Sequence, residues 1–219
     1  MLKKLLLIVL PLATAGCLGA SATVVSSSSG PSIQQAQVQP YNGPKERIAV
    51  TSFDYRAGQN SGEIGQGMTD MLTDALFNTN RFIVLERDRL SDVTAEQDLS
   101  NSNRFKKDTA APIGQLEGAQ LVVHGSITQF EPNCKGGSLI LASAKQACIA
   151  INLRIIDAAT GRVVNATTVQ GTSTSGSVGL IFSGGSLPIG LGAYSHTPME
   201  QAIRQCIESA VNYIVANKM

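Results

Sequence analysis

The chain has 219 residues, with 17 Lys and Arg against 16 Asp and Glu for a net charge of +1, so it lacks the basic footprint of a nucleic-acid-binding protein. Setting a leader aside leaves roughly 200 residues, enough for one domain with a real core. There is no Trp, and the many Gly, Ser and Thr point to β-rich and loop-rich segments mixed with helix.

The first residues, MLKKLLLIVLPLATAGC, carry two lysines, an apolar run from Leu5 to Ala13, then small residues ending at Cys17. This is the layout of a secretory signal peptide. Its apolar core is about half of the roughly 20 residues a spanning helix needs. Thr14-Ala15-Gly16-Cys17 resembles a bacterial lipobox, with Thr14 where Leu is usual, so a signal peptide over 1–16 and lipidation at Cys17 are expected. From 17 to 44 the chain is polar and low in complexity, with no apolar period, and reads as a flexible tether.

The domain over 45–219 opens with a β-rich run, Arg47 to Phe53, and a polar loop. Ile64, Met68, Met71, Leu72, Ala75 and Leu76 then recur at helical spacing and predict the first helix. Phe82 to Leu85 is a second strand, and the charged segment from Glu86 predicts a solvent-facing helix. Ile113 to Ala119 is expected to form a short helix ended by glycine, leading into a third strand, Leu121 to Ile127. Ala147, Ile149, Ile151, Leu153 and Ile155 alternate as in a half-buried strand. Asp157 to Gly161 turns the chain into Val163 and Val164, giving a hairpin. Thr197, Pro198 and Glu200 predict a capping box for a last helix, with Ala202, Ile203, Cys206, Ile207, Ala210, Val211 and Ile214 on one face. The interleaving defines an α/β class: a small mixed-sheet domain, covered on at least one side by amphipathic helices.

Catalytic signatures are missing: there is no G-x-S-x-G elbow, P-loop lysine, H-E-x-x-H or C-x-x-C. His124, in an apolar strand, and His196, before a helix, read as structural, and Glu86 to Arg89 reads as a solvated helix start. No enzyme activity, metal or cofactor is expected. In an oxidising compartment Cys134 and Cys148 can pair, leaving Cys206 alone on its apolar face; spacing does not prove the connectivity, and the pair can equally stay reduced.

Two segments stand out. One runs from Cys134 to Cys148 and interrupts what would otherwise be a direct hairpin between the third and fourth strands. The other lies in a stretch from Val163 to Met199 that contains no Lys, Arg, Asp or Glu. There Val178, Leu180 and Phe182 share one strand face, Ser183-Gly184-Gly185-Ser186 supplies a turn, and Leu187, Ile189, Leu191 and Ala193 share a face on the way back. A charge-free strand pair with one apolar face suits lipid, where facing charge costs about 2–4 kcal/mol near the midplane. One chain with two hairpins cannot close a barrel, so several subunits would have to share a wall. Long surface loops are the plain alternative.

RIAVTSF, GMTDMLTDALFNTNRFIVLERDRLSDV, LEGAQLVVHGSITQFEPN, INLRIIDAATGRVVNATT and SHTPMEQAIRQCIESAVNYIV, in that order, resemble the CsgG family of curli secretion channel subunits. The resemblance implies an outer-membrane lipoprotein with a periplasmic domain and a homo-oligomeric ring. Leu18 fits this, since an Asp there would resemble an inner-membrane retention signal. Each subunit would insert two β-hairpins, at about 133–152 and 167–197, into a shared transmembrane β-barrel. Leu139, Leu141, Val178, Leu180, Phe182, Leu187, Ile189 and Leu191 would then be the membrane-hairpin residues. The implied partners are the lipid bilayer, secreted fibre (curli-like amyloid) or adhesin subunits, and periplasmic accessory proteins. A lipoprotein with the same domain but no pore, serving as a structural or adaptor component of an envelope machine, is the rival reading. Three departures from the family pattern stand in the sequence. The loop GQNSGEIGQG is short and has no aromatic residue, so no constriction residue is carried over. The first hairpin allows about seven residues per strand where about nine to eleven are usual. Pro188 removes a ladder donor near the second turn.

Overall fold

Alternation in one strand organises the molecule: Ala147, Ile149, Ile151, Leu153 and Ile155 are all buried, while Asn152 and Arg154 between them are exposed. The computed structural model describes residues 21–24, 41–58, 62–139, 142–174 and 187–217. In chain order these form β1 (Ser21–Val24), β2 (Glu46–Val50), β3 (Asp54–Tyr55), α1 (Gly62–Asn78), β4 (Phe82–Leu85), α2 (Leu90–Ser100), β5 (Leu121–Leu139), β6 (Ala142–Asp157), β7 (Val163–Thr174) and α3 (Pro198–Ala216). The strands make one mixed sheet in the order β1-β7-β6-β5-β2-β4, with β3 paired to β5. The β2–β4, β2–β5 and β3–β5 pairs are parallel, and the β5–β6, β6–β7 and β1–β7 pairs antiparallel.

Helices α1 and α3 touch each other and cover one face of the sheet, α1 over β2, β3 and β4, α3 over β1, β6 and β7. The period-3.6 stripe of each helix supplies the cover: Met68, Leu72 and Leu76 from α1, and Ile203, Cys206, Ile207, Ala210 and Ile214 from α3. The helix α3 lies unusually close to β7, because a Cβ on Gly171 would stand 2.3 Å from the Ala202 carbonyl oxygen. Thr128 is an extra residue between the Ile127–Ile151 and Gln129–Ala150 pairs. This bulge shifts the pleat by one and turns Phe130 to the helix side opposite Ile149. There its ring sits edge-on between Tyr55, at 6.2 Å, and Tyr194, at 5.0 Å. On the opposite face the rows Ser126–Asn152–Thr168 and Gln129–Ala150–Gln170 are polar or small, and Thr168 Oγ1 donates to Asn152 Oδ1 at 2.8 Å.

Several expectations change. The segment Ile113 to Ala119 is not a helix: Gly114 adopts φ +84, and the following carbonyls serve as acceptors for arginines instead of closing helical turns. Arg47 Nε donates to the Gly118 carbonyl and Arg87 Nη2 to that of Glu117, both at 2.8 Å. The charged helix begins only at Leu90, since Glu86 Oε1 accepts from the backbone N–H groups of Asp88 and Arg89 and holds them in a turn. Within the expected tether, Ser21–Val24 is a strand, paired with Val169–Thr172 of β7. The expected capping box does not close on its N-cap, Thr197. Glu200 accepts from the backbone N–H of His196 at 2.6 Å, while the Thr197 hydroxyl turns back to donate to the Tyr194 carbonyl.

The expected return strand Leu187–Ala193 is also different. The chain there forms a turn followed by a 3-10 turn, Gly192–Tyr194. Gly190 has φ +91 and lies against the Glu63 carbonyl, where a Cβ would stand 2.2 Å from the oxygen. With Pro188 unable to donate, this geometry breaks the pleat. Leu187 and Leu191 therefore point into the core, Leu191 against Gly67 of α1, and Ile189 is left 92% exposed. Leu191→Ala is expected to cost about 2–5 kcal/mol, as for a buried leucine that leaves a cavity, and Ile189→Ala less than about 0.5 kcal/mol. Urea denaturation of the two variants decides it, and equal effects would return this segment to the surface.

Glu200 supplies a pH dependence. Partial burial pushes its carboxyl up, but the His196 N–H and the Arg204 guanidinium, 2.8 Å away, outweigh burial and hold it below its ordinary value of 4.5. A depressed folded value gives stability that is present above the unfolded value and lost as pH falls through the folded one. Glu200→Gln is expected to lower Tm at neutral pH, with the gap to the unaltered protein closing as pH drops below about 4. Thermal melts across that range check the sign.

Candidate functional site: the prolonged central hairpin

The segment expected to interrupt the third and fourth strands prolongs them instead. The strands β5 and β6 pair from Leu121–Asp157 out to Leu139–Ala142. Among the residues whose burial is described, the hairpin's outermost members of the buried cluster are Phe130 on β5 and Ala147 on β6. Beyond them the ladder continues through Lys135–Gln146, Gly136–Lys145, Gly137–Ala144, Ser138–Ser143 and Leu139–Ala142. At about 3.3 Å per residue those pairs extend the hairpin by roughly 16 Å, against the about 25 Å apolar band of a membrane barrel. On its other side β6 stays paired with β7 as far as Gln146–Thr174.

The structure joins Cys134 and Cys148 as a disulfide, with Cα atoms 5.8 Å apart. It sits where the ladder is irregular, between the Glu131–Cys148 and Lys135–Gln146 pairs. Cys206 is free and fully buried on α3 beneath Val169, and burial pushes its thiol far above the ordinary range. Leu139 ends β5, at the tip of the described ladder. Leu141, Val178, Leu180, Phe182 and Cys17 lie outside the described residues. Leu187 and Leu191 belong to the domain core, and Ile189 to its surface.

The ionisable groups form small surface nets. His124 Nε2 lies 3.7 Å from Asp54, and its Nδ1 lies 3.3 Å from the Thr51 hydroxyl. The Arg56 guanidinium, at 2.9 Å, is the main cause of a lowered Asp54 carboxyl. Asp88, expected at a helix start, instead accepts from Ser52 at 2.6 Å and Gln66 at 3.2 Å, so the loop after β4 is tied to the loop after β2 and to α1. Arg89 pairs with Asp70 at 2.9 Å, and Asp74 nearby is pushed up by burial and by the Asp70 charge. The loop GQNSGEIGQG is shortened further by α1, which starts at Gly62. Among the described residues no group of His, Cys, Asp and Glu has metal-binding geometry, and no helix is long and apolar enough to cross a membrane.

A mixed sheet with helices on one face and a central β5–β6 hairpin carried on to Leu139–Ala142 defines a one-sided α/β domain. The chain belongs to the CsgG family: residues 30–219 match the family described as curli production assembly/transport component CsgG. Curli production assembly/transport components CsgG of Escherichia coli K12 and of Salmonella typhimurium are each 29% identical over 133 residues, which is 55% of this chain and 48% of theirs. The chain thus spans about half the length of the curated relatives it matches. Among solved structures, a protein of Xanthomonas campestris aligns with TM-score 0.47 at 12% identity, over 78% of this chain and 85% of that one. The PelC dodecamer of Paraburkholderia phytofirmans aligns with TM-score 0.39 at 12% identity, over 88% and 97%. At those scores the likeness is loose, and the family assignment rests on the sequence match.

The cysteine arrangement gives a direct count. In a Cys17→Ser variant purified without reductant, the folded protein is expected to show no reactive thiol. Denaturation should release one, Cys206, and denaturation with reduction three. Ellman titration reads all three states, and two additional thiols before reduction would remove the disulfide.

Proposed function

We propose that the protein is an outer-membrane lipoprotein, anchored through Cys17, whose copies assemble into a ring-shaped export channel for extracellular fibre or adhesin subunits. The observation that carries this reading is the family match over 30–219, combined with a hairpin ladder that reaches Leu139–Ala142 and a charge-free sequence that follows β7. In this reading the β5–β6 tip and the segment from Thr174 to Leu187 are the two contributions of each subunit to a common wall. A shared wall removes the open edges that a single hairpin would expose in lipid. Transport is passive: ring closure and pore width do the work, and no residue needs to be catalytic, metal-bound or cofactor-bound. The periplasmic domain then serves as the collar that sets spacing between copies.

A second reading, a pore-free envelope scaffold, is favoured by the roughly 16 Å reach of the first hairpin and by the folding of Leu187 and Leu191 into the domain. The two separate on purification in detergent, with electron microscopy and planar-bilayer conductance in parallel. Rings with stable conductance are expected for the channel; a water-soluble monomer after Cys17→Ser, with no conductance from the lipidated form, would sink it. Leu180→Arg is expected to abolish insertion, since a lipid-facing arginine costs about 2–4 kcal/mol per subunit. Unchanged extraction and conductance in that variant would take the segment out of the lipid.

A further inference from the structure

The geometry points to the Cys134–Cys148 disulfide as the register lock of the prolonged hairpin, a positioning pair rather than a staple of the domain. The inference rests on the reading above only for what the hairpin is used for. At the base of the tip, Pro132, Asn133 and Cys134 on β5 face Ala147 alone on β6. Three residues against one is a wide irregularity, and such a break leaves the pairing beyond it free to shift. Nothing in the tip restores a unique choice. Gly136, Gly137 and Ser138 lie opposite Lys145, Ala144 and Ser143, so small residues occupy most positions on both strands. Strands of this composition specify register weakly, and a slip by one residue sends every side chain to the other face. Among the residues whose burial is described, the buried cluster holds Phe130 on the domain side of the break and Ala147 within it, so its packing fixes the register up to the break. The bond from Cys134 reaches back across the break to Cys148, a residue still in register with Glu131 on one side and Thr172 of β7 on the other. The anchored ladder therefore dictates where Lys135 begins the next one, and the face on which Leu139 stands follows.

The test uses hydrogen exchange on the full lipidated chain in detergent. In the double variant Cys134→Ser with Cys148→Ser, and in the unaltered protein held in a phosphine reductant, amides of Lys135 to Leu139 and Ala142 to Gln146 are expected to exchange about tenfold faster or more. Amides of Leu121 to Phe130 should keep their protection, which shows that the domain is folded. A third variant adds Gly137→Cys and Ala144→Cys to the double serine background. These residues are already paired, so oxidation there restores a lock at a new place and is expected to return tip protection. Tip exchange within about twofold of the unaltered protein in both reduced forms, or no rescue by the relocated bond, overturns the lock. Ring and channel assays on the same samples report separately. If the oxidised, unaltered protein forms neither, the export reading fails while the exchange result still decides the lock.

Discussion

The rest of this structure depends on how closely α3 can approach β7. Gly171 has no side chain, and the backbone of α3 at Ala202 occupies the space that a Cβ would fill. That approach lets Ile203, Cys206 and Ile207 reach the alternating row of β6, where Ile149, Ile151 and Leu153 are buried. Side chains on a strand alternate between faces, so committing every second residue of β6 to the helices leaves Asn152 and Arg154 on the other side. The one-sided architecture is thus set by a single close contact and one period-two pattern. Phe130 closes this layer only because the Thr128 bulge re-aims it between Tyr55 and Tyr194.

A layer built this way has a defined end. Phe130 and Ile149 are the outermost apolar pair in the described buried cluster, and backbone pairing carries β5 on to Leu139 and β6 back from Ala142. Past that point the described features of the hairpin are its backbone ladder and, at its base, the disulfide.

Periodicity made much of this legible in the sequence. The stripes of α1 and α3 and the alternation of β6 each follow from one burial face, and the structure buries those residues. The reading failed where backbone groups are captured by distant side chains. The expected helix near Ile113 is undone by Arg47 and Arg87 taking its carbonyls, and the helix start at Glu86 by that residue's own carboxylate. No local pattern announces such captures. The hairpin expected at about 133–152 follows from family resemblance and not from a period, since small residues dominate Lys135 to Lys145; its strands pair from Lys135–Gln146 to Leu139–Ala142. The edge strand β1 is hidden for the same reason: Ser21-Ala22-Thr23-Val24 is too short and too polar to stand out.

The charge-free stretch from Val163 to Met199 divides into parts with different causes. Its first part is β7, whose inward residues Thr167, Val169, Gly171 and Ser173 lie under α3, where an unpaired charge would cost several kcal/mol. Its last part, from Leu187, packs Leu191 and Met199 into the core beside α1 and α3. Both ends therefore lack charge for reasons internal to the domain and need no membrane. Between them stand residues 175–186, SGSVGLIFSGGS, with Val178, Leu180, Ile181 and Phe182 at their centre, outside the described residues. Between β7, which reaches Thr174, and the core contact at Leu187, this uncharged run is the part of the stretch on which the proposed membrane role rests.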